Sequence, residues 1–245
     1  LGLLLQHGFF LHQSGRLDEA GKIYKQILAK DSKHFDALQL LGTLYLHSKN
    51  FAQALALFNK AIEINPRNAG IFNNRGIALK NVNLQKEAIA SYDMAIQIEP
   101  HFVDAIYNRG CIYLELNFLD QALQNFNDVI KLEAHHTEAL CSKGLILLKL
   151  HRHDEALRYC SEAIKSNPQF PEAWNNRGMV EHELSLYQEA ITPYKNAIKL
   201  NPGLAEAWSN LGLTLAELQK YGEAIFSYNQ AININNSFYE AITNR

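Results

Sequence analysis

Cysteine is scarce in this chain: three in 245 residues make no disulfide framework. That shortage points to a reduced setting, and the cytoplasm is the expected compartment. There is no basic excess either. Lys and Arg number 23 against 25 Asp and Glu, a net charge of −2 with pI near 6.6. A nucleic-acid surface needs the opposite balance and is excluded. No apolar run approaches the length of a membrane-spanning helix, so no membrane partner is expected. Leu1–Leu5 and Phe9–Leu11 imitate the core of a signal peptide, but no basic leader and no cleavage motif accompany them. No glycine loop of the phosphate-cradling kind occurs, and no cofactor is expected. His135 and His136 fall in a linker, and His151 and His153 flank a turn, without further close ligands. Neither these pairs nor Cys111 with Cys141 make a metal or redox site. No nucleophile–base constellation can be read from spacing, and the chain is expected not to be an enzyme.

What the sequence does have is a period. Gly8, Gly42, Gly76, Gly110, Gly144, Gly178 and Gly212 stand 34 residues apart. Ala20, Ala54, Ala88, Ala122, Ala156, Ala190 and Ala224 each follow twelve residues later, and nothing disturbs the register. Such a period belongs to a helix–turn–helix unit stacked on copies of itself, since one unit cannot bury its own apolar face. In residues 103–136, Ile106, Arg109, Gly110 and Tyr113 recur at helical spacing and predict a first helix. Asn117–Leu119 turns the chain. Ala122, Phe126 and Val129 form the stripe of a second helix. Pro66, Pro100, Pro168 and Pro202 end the second helix in four units. The glycine and alanine are expected where the two helices cross, and a larger side chain there costs roughly 1–3 kcal/mol. Phe126 and its equivalents Tyr24, Phe58, Tyr92, Tyr194 and Tyr228 are expected to fill the space between neighbouring units. Cys160 replaces the aromatic in the fifth unit, which is expected to be less well filled.

This pattern resembles the tetratricopeptide repeat: a large apolar residue, Leu, Gly, Tyr, Ala, an aromatic, Ala and Pro at fixed offsets. Trp208, Leu211, Gly212, Leu215, Ala224, Tyr228 and Ala231 keep it best. The resemblance implies an all-α, right-handed superhelical solenoid of about seven units plus a partial eighth, with first helices lining the concave side. The units run 1–34, 35–68, 69–102, 103–136, 137–170, 171–204 and 205–238, then 239–245, as one solenoid. The chain does not begin with Met and stops inside the eighth unit, so it reads as a segment of something larger.

The sixth unit departs from the pattern twice. Pro193 falls in the middle of its second helix, where it removes a backbone hydrogen bond and is expected to kink the helix, at about 3 kcal/mol if uncompensated. A tolerated weak repeat and a hinge are both open. Glu181 stands where other units have Tyr or Leu, and Arg177, four residues earlier, is placed to satisfy it.

On the surface that the resemblance makes concave, Asn74, Asn108, Asn176 and Asn210 stand two residues before their glycines, with Asn244 in the partial unit. Gln6 and Ser142 are polar variants, and Leu40 is the exception. An amide both donates and accepts, so a row of amides suits the main chain of an extended peptide. The alternative is that the asparagines hydrogen-bond neighbouring loops and helices. Ile77, Cys111, Leu145, Met179 and Leu213, one residue after the glycine, form an apolar floor or else pack between first helices; Leu46, Leu114 and Leu148 belong with them. Asp36, Asp104, Glu138, Glu172, Glu206 and Glu240 sit where a helix dipole favours carboxylates. Arg75, Arg109, Arg177 and Arg245 precede the glycine, where a structural role is the better reading. The Lys and Asn of the family's clamp for chaperone tails are not present at the matching positions.

The expected function is a scaffold that binds a protein or peptide partner through the asparagine ladder and the apolar floor. Two rivals stand beside it. The ladder also resembles that of the O-linked N-acetylglucosamine transferases, which implies a substrate-recruiting arm with its catalytic domain beyond Arg245. The apolar first helix, with Leu1, Leu3, Leu4, Leu5, Phe9, Phe10 and Leu11, is unusual for a terminal unit and suits a homo-oligomer.

Overall fold

Each period folds as two helices because apolar residues recur every three to four positions, with a polar break between the runs. A computed structural model describes residues 1–236 and 239–244. The first helices are α1 (Gly2–Gln13), α3 (Phe35–His47), α5 (Ala69–Asn81), α7 (Val103–Glu115), α9 (Thr137–Lys149), α11 (Pro171–Glu183) and α13 (Ala205–Glu217). Their partners are α2 (Leu17–Lys30), α4 (Phe51–Ile64), α6 (Gln85–Ile98), α8 (Leu119–Leu132), α10 (His153–Ser166), α12 (Tyr187–Leu200) and α14 (Tyr221–Ile234). α15 (Tyr239–Asn244) opens the eighth unit. The described residues are all-helical, with no strand.

The chain divides into two compact units, Leu1–Asn125 and Phe126–Arg245, with α8 divided between them. In the first, each helix from α1 to α7 packs on its neighbours in sequence; in the second, α9 to α15 do the same. First helices also touch one another: α3 with α5 and α5 with α7 in the first unit, α9 with α11 and α11 with α13 in the second.

The conserved spacing of glycine and aromatic has a single cause. A Cβ built on Gly76 would lie 2.5 Å from Tyr92 Cε1, and one on Gly42 would lie 2.6 Å from Phe58 Cε1. Gly8, Gly178 and Gly212 meet Tyr24, Tyr194 and Tyr228 in the same way, at 2.7–2.8 Å. The ring therefore lies on the glycine of its own hairpin, not only between hairpins as its spacing suggested. These rings are buried, so they have no room to yield to a methyl group. The fifth hairpin solves the problem differently. There the nearest atoms to a Cβ on Gly144 are Cys160 Sγ at 2.8 Å, then Cys160 N at 3.4 Å and the Ala156 carbonyl at 3.5 Å. In place of a ring, the Cys160 side chain lies on the glycine, and Cys160 is fully buried.

The turn within each hairpin places one residue in the left-handed region: Gly15, Lys49, Asn83, Asn117, His151, Ser185 and Gln219, all with φ between 57° and 75°. The link between hairpins is an Asx turn. Asn65, Asn167 and Asn201 accept, through Oδ1, from the backbone N–H two residues on, at 3.0–3.1 Å. Proline follows each of these asparagines, and Trp174 and Trp208 donate from Nε1 to the Pro168 and Pro202 carbonyls.

Pro193 does not break its helix. α12 runs from Tyr187 to Leu200 with Pro193 buried inside it. The expected kink is not seen as an interruption. α1 is the other departure. In later repeats the residues matching Leu3 are Ala37, Ile71, Ala105, Ala139, Ala173 and Ala207, all 0% exposed, whereas Leu3 is 84% exposed. Phe10 is likewise 61% exposed, while its counterparts Ala78, Ile112, Ile146 and Val180 are fully buried.

Candidate peptide-binding surface

The amide row begins with helix geometry. In four hairpins the asparagine two before the glycine turns towards the preceding first helix. Asn108 Nδ2 donates to Asn73 Oδ1 at 3.1 Å, and Asn210 Nδ2 to Asn175 Oδ1 at 3.1 Å. Asn176 Nδ2 donates to the Cys141 carbonyl at 3.4 Å and lies 3.2 Å from its Sγ. Asn74 Nδ2 reaches Thr43 Oγ1 at 3.4 Å. Each asparagine thus clasps the first helix of the preceding hairpin through its NH₂ group. Asn74, Asn108 and Asn210 are half-buried and Asn176 is buried. These bonds use the donor side of the amide and leave Oδ1, the acceptor side, out of the clasp. Three of the residues that receive the clasps, Asn73, Cys141 and Asn175, stand three before the glycine, a row whose role spacing alone did not disclose; Thr43 stands one after it. The signal was present: Asn73 and Asn175 follow the same period.

The apolar row lies one turn away. Ile77, Cys111, Leu145 and Met179 are half-buried, and Leu213 is 36% exposed. Ile77 packs on the clusters around Phe58 and Tyr92, and Met179 on those around Cys160 and Tyr194. Leu46 and Leu148 are buried. The row both fills gaps between hairpins and leaves an apolar margin beside the amides.

The carboxylate row occupies first turns: Asp36 in α3, Asp104 in α7, Glu138 in α9, Glu172 in α11 and Glu206 in α13. Each meets the positive end of its helix dipole. Glu240's side chain and Arg245 lie outside the described residues. Asn244 is exposed in α15.

The arginines have protein partners. Arg75 donates to Asn59 Oδ1 at 2.8 Å and Ser91 Oγ at 2.7 Å. Arg109 donates to Asn125 Oδ1 at 2.9 Å and Asp93 Oδ1 at 2.6 Å. Each joins its own second helix to that of the hairpin before. Arg177 instead pairs with Glu181 on its own helix, Nε to Oε1 at 2.9 Å. Glu181 is 6% exposed, and its Oε2 is buried with no hydrogen-bond partner.

Burial raises the Cys111, Cys141 and Cys160 thiols, the last to about 12. All three are free and stay protonated at neutral pH. His136, in the linker pair, caps α9 by accepting at Nδ1 from the Ala139 N–H. Among the described residues no helix is long and apolar enough to cross a membrane.

Family models described as tetratricopeptide repeat match residues 11–71, 57–90, 107–169, 141–204 and 205–238. A search of curated proteins finds no match. Among solved structures the chain is similar to YrrB, described as "a TPR protein with an unusual peptide-binding site", at 27% identity and TM-score 0.58, over 76% of this chain and 96% of that one. It is similar to a tetratricopeptide repeat protein from Parabacteroides merdae at 17% identity and TM-score 0.78, over 99% and 96%. It is similar also to the Cut9–Hcn1 hetero-tetramer of the APC/C at 23% identity and TM-score 0.73, spanning 98% of this chain and about half, 48%, of that one. The last two likenesses speak for the fold alone.

Proposed function

The chain belongs to the tetratricopeptide-repeat family, and we propose that it is a non-enzymatic protein-binding scaffold that holds extended peptide segments against its first helices. The observation that carries this reading is the periodic amide row. Asn74, Asn108, Asn176 and Asn210 all direct NH₂ inward to a neighbouring helix. The clasp fixes each side chain in one orientation. Preset acceptors, two in each compact unit, then stand ready for peptide N–H groups, with little side-chain entropy left to lose on binding. Ile77, Cys111, Leu145, Met179 and Leu213 supply the apolar margin for side chains that alternate along the strand. Each amide bond contributes about 0.5–1.5 kcal/mol net, so capture needs several hairpins at once. The peptide-binding description of YrrB, the more similar of these structures in sequence, is the precedent.

The test is the quadruple Asn→Ala variant at 74, 108, 176 and 210, measured by anisotropy with labelled extended peptides and by circular dichroism. Helical content stays near wild type, melting falls because the clasps are gone, and peptide capture is lost well below the melt. Capture at wild-type strength would sink the reading.

A second reading, self-association through α1, is favoured by the exposure of Leu3 and Phe10. Light scattering across a dilution series tests it, and a strictly monomeric solution removes it. The three free thiols favour the cytoplasm, which cell fractionation checks.

A further inference from the structure

We propose that the seam between α1 and α3 is a side-chain pocket that selects a large apolar residue next to a basic one in the bound peptide. This rests on the peptide-binding reading of the first-helix face and names what one part of that face chooses. The seams α3–α5, α5–α7, α9–α11 and α11–α13 are closed by an amide. The residue two before the glycine bonds to the one three before the previous glycine, as in Asn108–Asn73, Asn176–Cys141 and Asn210–Asn175. Asn74 reaches Thr43 instead. Between α1 and α3 the same two places hold Leu40 and Leu5. Neither has a donor or an acceptor, so no clasp forms.

A cavity of about 400 Å³ opens there, lined by Leu5, Gln6, Phe9, Asp36, Gln39 and Leu40. That volume lies in the range of ligand pockets. Leu5 and Phe9 stand one turn apart on α1 and share a face. With Leu40 they make an apolar floor, and Phe9 is 46% exposed at its edge. Gln6 and Gln39 supply amides at the rim. Asp36, exposed in the first turn of α3, is the one charged side chain of the six. The amide row elsewhere reads main chain. This seam, having exchanged amides for leucines, reads a side chain, and its carboxylate favours a cation next to it.

The probe is acetyl-Phe-Arg-amide, too short to bridge two asparagines of the ladder, titrated into protein with labelled leucine methyls. The Leu5 and Leu40 methyl resonances shift saturably. Acetyl-Ser-Arg-amide binds at least tenfold more weakly, roughly the contribution of one buried aromatic side chain, and acetyl-Phe-Glu-amide is also weaker. Leu40→Asn abolishes the discrimination between Phe and Ser. Phe9→Ser, on an exposed position that does not threaten the fold, weakens the Phe-Arg probe as well. Absent shifts, shifts confined to other leucines, or equal binding of all three dipeptides would overturn the pocket. The quadruple asparagine variant separates the two readings. If dipeptide binding survives there while long peptides are lost, both stand. If long peptides bind the wild type without any preference for Phe-Arg, the pocket alone falls.

Discussion

The third and sixth repeats place an arginine at the same position and treat it in opposite ways. Arg75 finds neutral partners, Ser91 on its own second helix and Asn59 on the helix before. In the sixth repeat the place of Ser91 is taken by Pro193, which has neither a hydroxyl nor an N–H to offer. Arg177 pairs within α11 instead, with Glu181 at the position where the third repeat has Leu79. The two departures from the sequence pattern thus meet at one arginine. The proline offers no partner there, and a buried carboxylate takes that role. The lesson is that a repeat can exchange a link between helices for an ion pair within one helix, at the cost of an orphaned Oε2.

Removing the arginine is the strongest way to break this comparison. Arg177→Leu leaves Glu181 buried and alone, and is expected to destabilise by about 3–5 kcal/mol in urea. Arg75→Leu leaves only neutral groups unpaired and is expected to cost about 1–2 kcal/mol. The double variant Arg177→Leu/Glu181→Leu, which restores residues found at those places in the seventh repeat, is expected to recover most of the loss. Equal costs for the two arginines, or no recovery in the double variant, would erase the distinction.

The proline sharpens it next. Pro193→Ser returns a backbone N–H to α12 and offers Arg177 the hydroxyl that Arg75 already uses. A gain of about 1–3 kcal/mol in thermal or urea melts is expected, against a loss of about 3 kcal/mol for Ser91→Pro. A loss on Pro193→Ser would mean that the sixth repeat is built around its proline.

The smallest expected effect lies in pH. Burial, above all, holds His182 below the usual histidine value, with Glu183 and Glu217 acting weakly in the other direction. Its Nδ1 lies 2.9 Å from Thr214 Oγ1. The unfolded chain therefore binds more protons than the folded one just below pH 6.5. His182 contributes full stability above that value and loses it as pH falls towards the folded pKa. The third repeat has Lys80 at this place, ion-paired with Glu115 at 2.7 Å. His182→Gln is expected to flatten the stability profile between pH 7 and 5, leaving the similar share of His12. An unchanged profile would contradict the assignment.

Much of the fold was legible in the sequence. The period fixed the hairpins, and the glycines announced a close approach whose partner proved to be the ring sixteen residues on. The Arg177–Glu181 pair followed from helical spacing alone, because both residues share one face. What stayed hidden depends on neighbours 31 to 35 residues away. The clasp from Asn108 to Asn73 needs the relative placement of two first helices, which no local rule supplies. The α1–α3 pocket was hardest, since it arises from the lack of a clasp. Leu40 looked like an exception to a ladder rather than a feature of its own.

The central claim is that the asparagines hold neighbouring helices with their NH₂ groups and offer their carbonyls to a peptide. The most direct measurement follows the side-chain amide signals of Asn74, Asn108, Asn176 and Asn210 by NMR while an extended peptide is titrated in. The NH₂ protons should remain slow to exchange throughout, and the side-chain carbonyl carbons should move with the peptide. A bound peptide that leaves all four carbonyls unmoved would contradict the account.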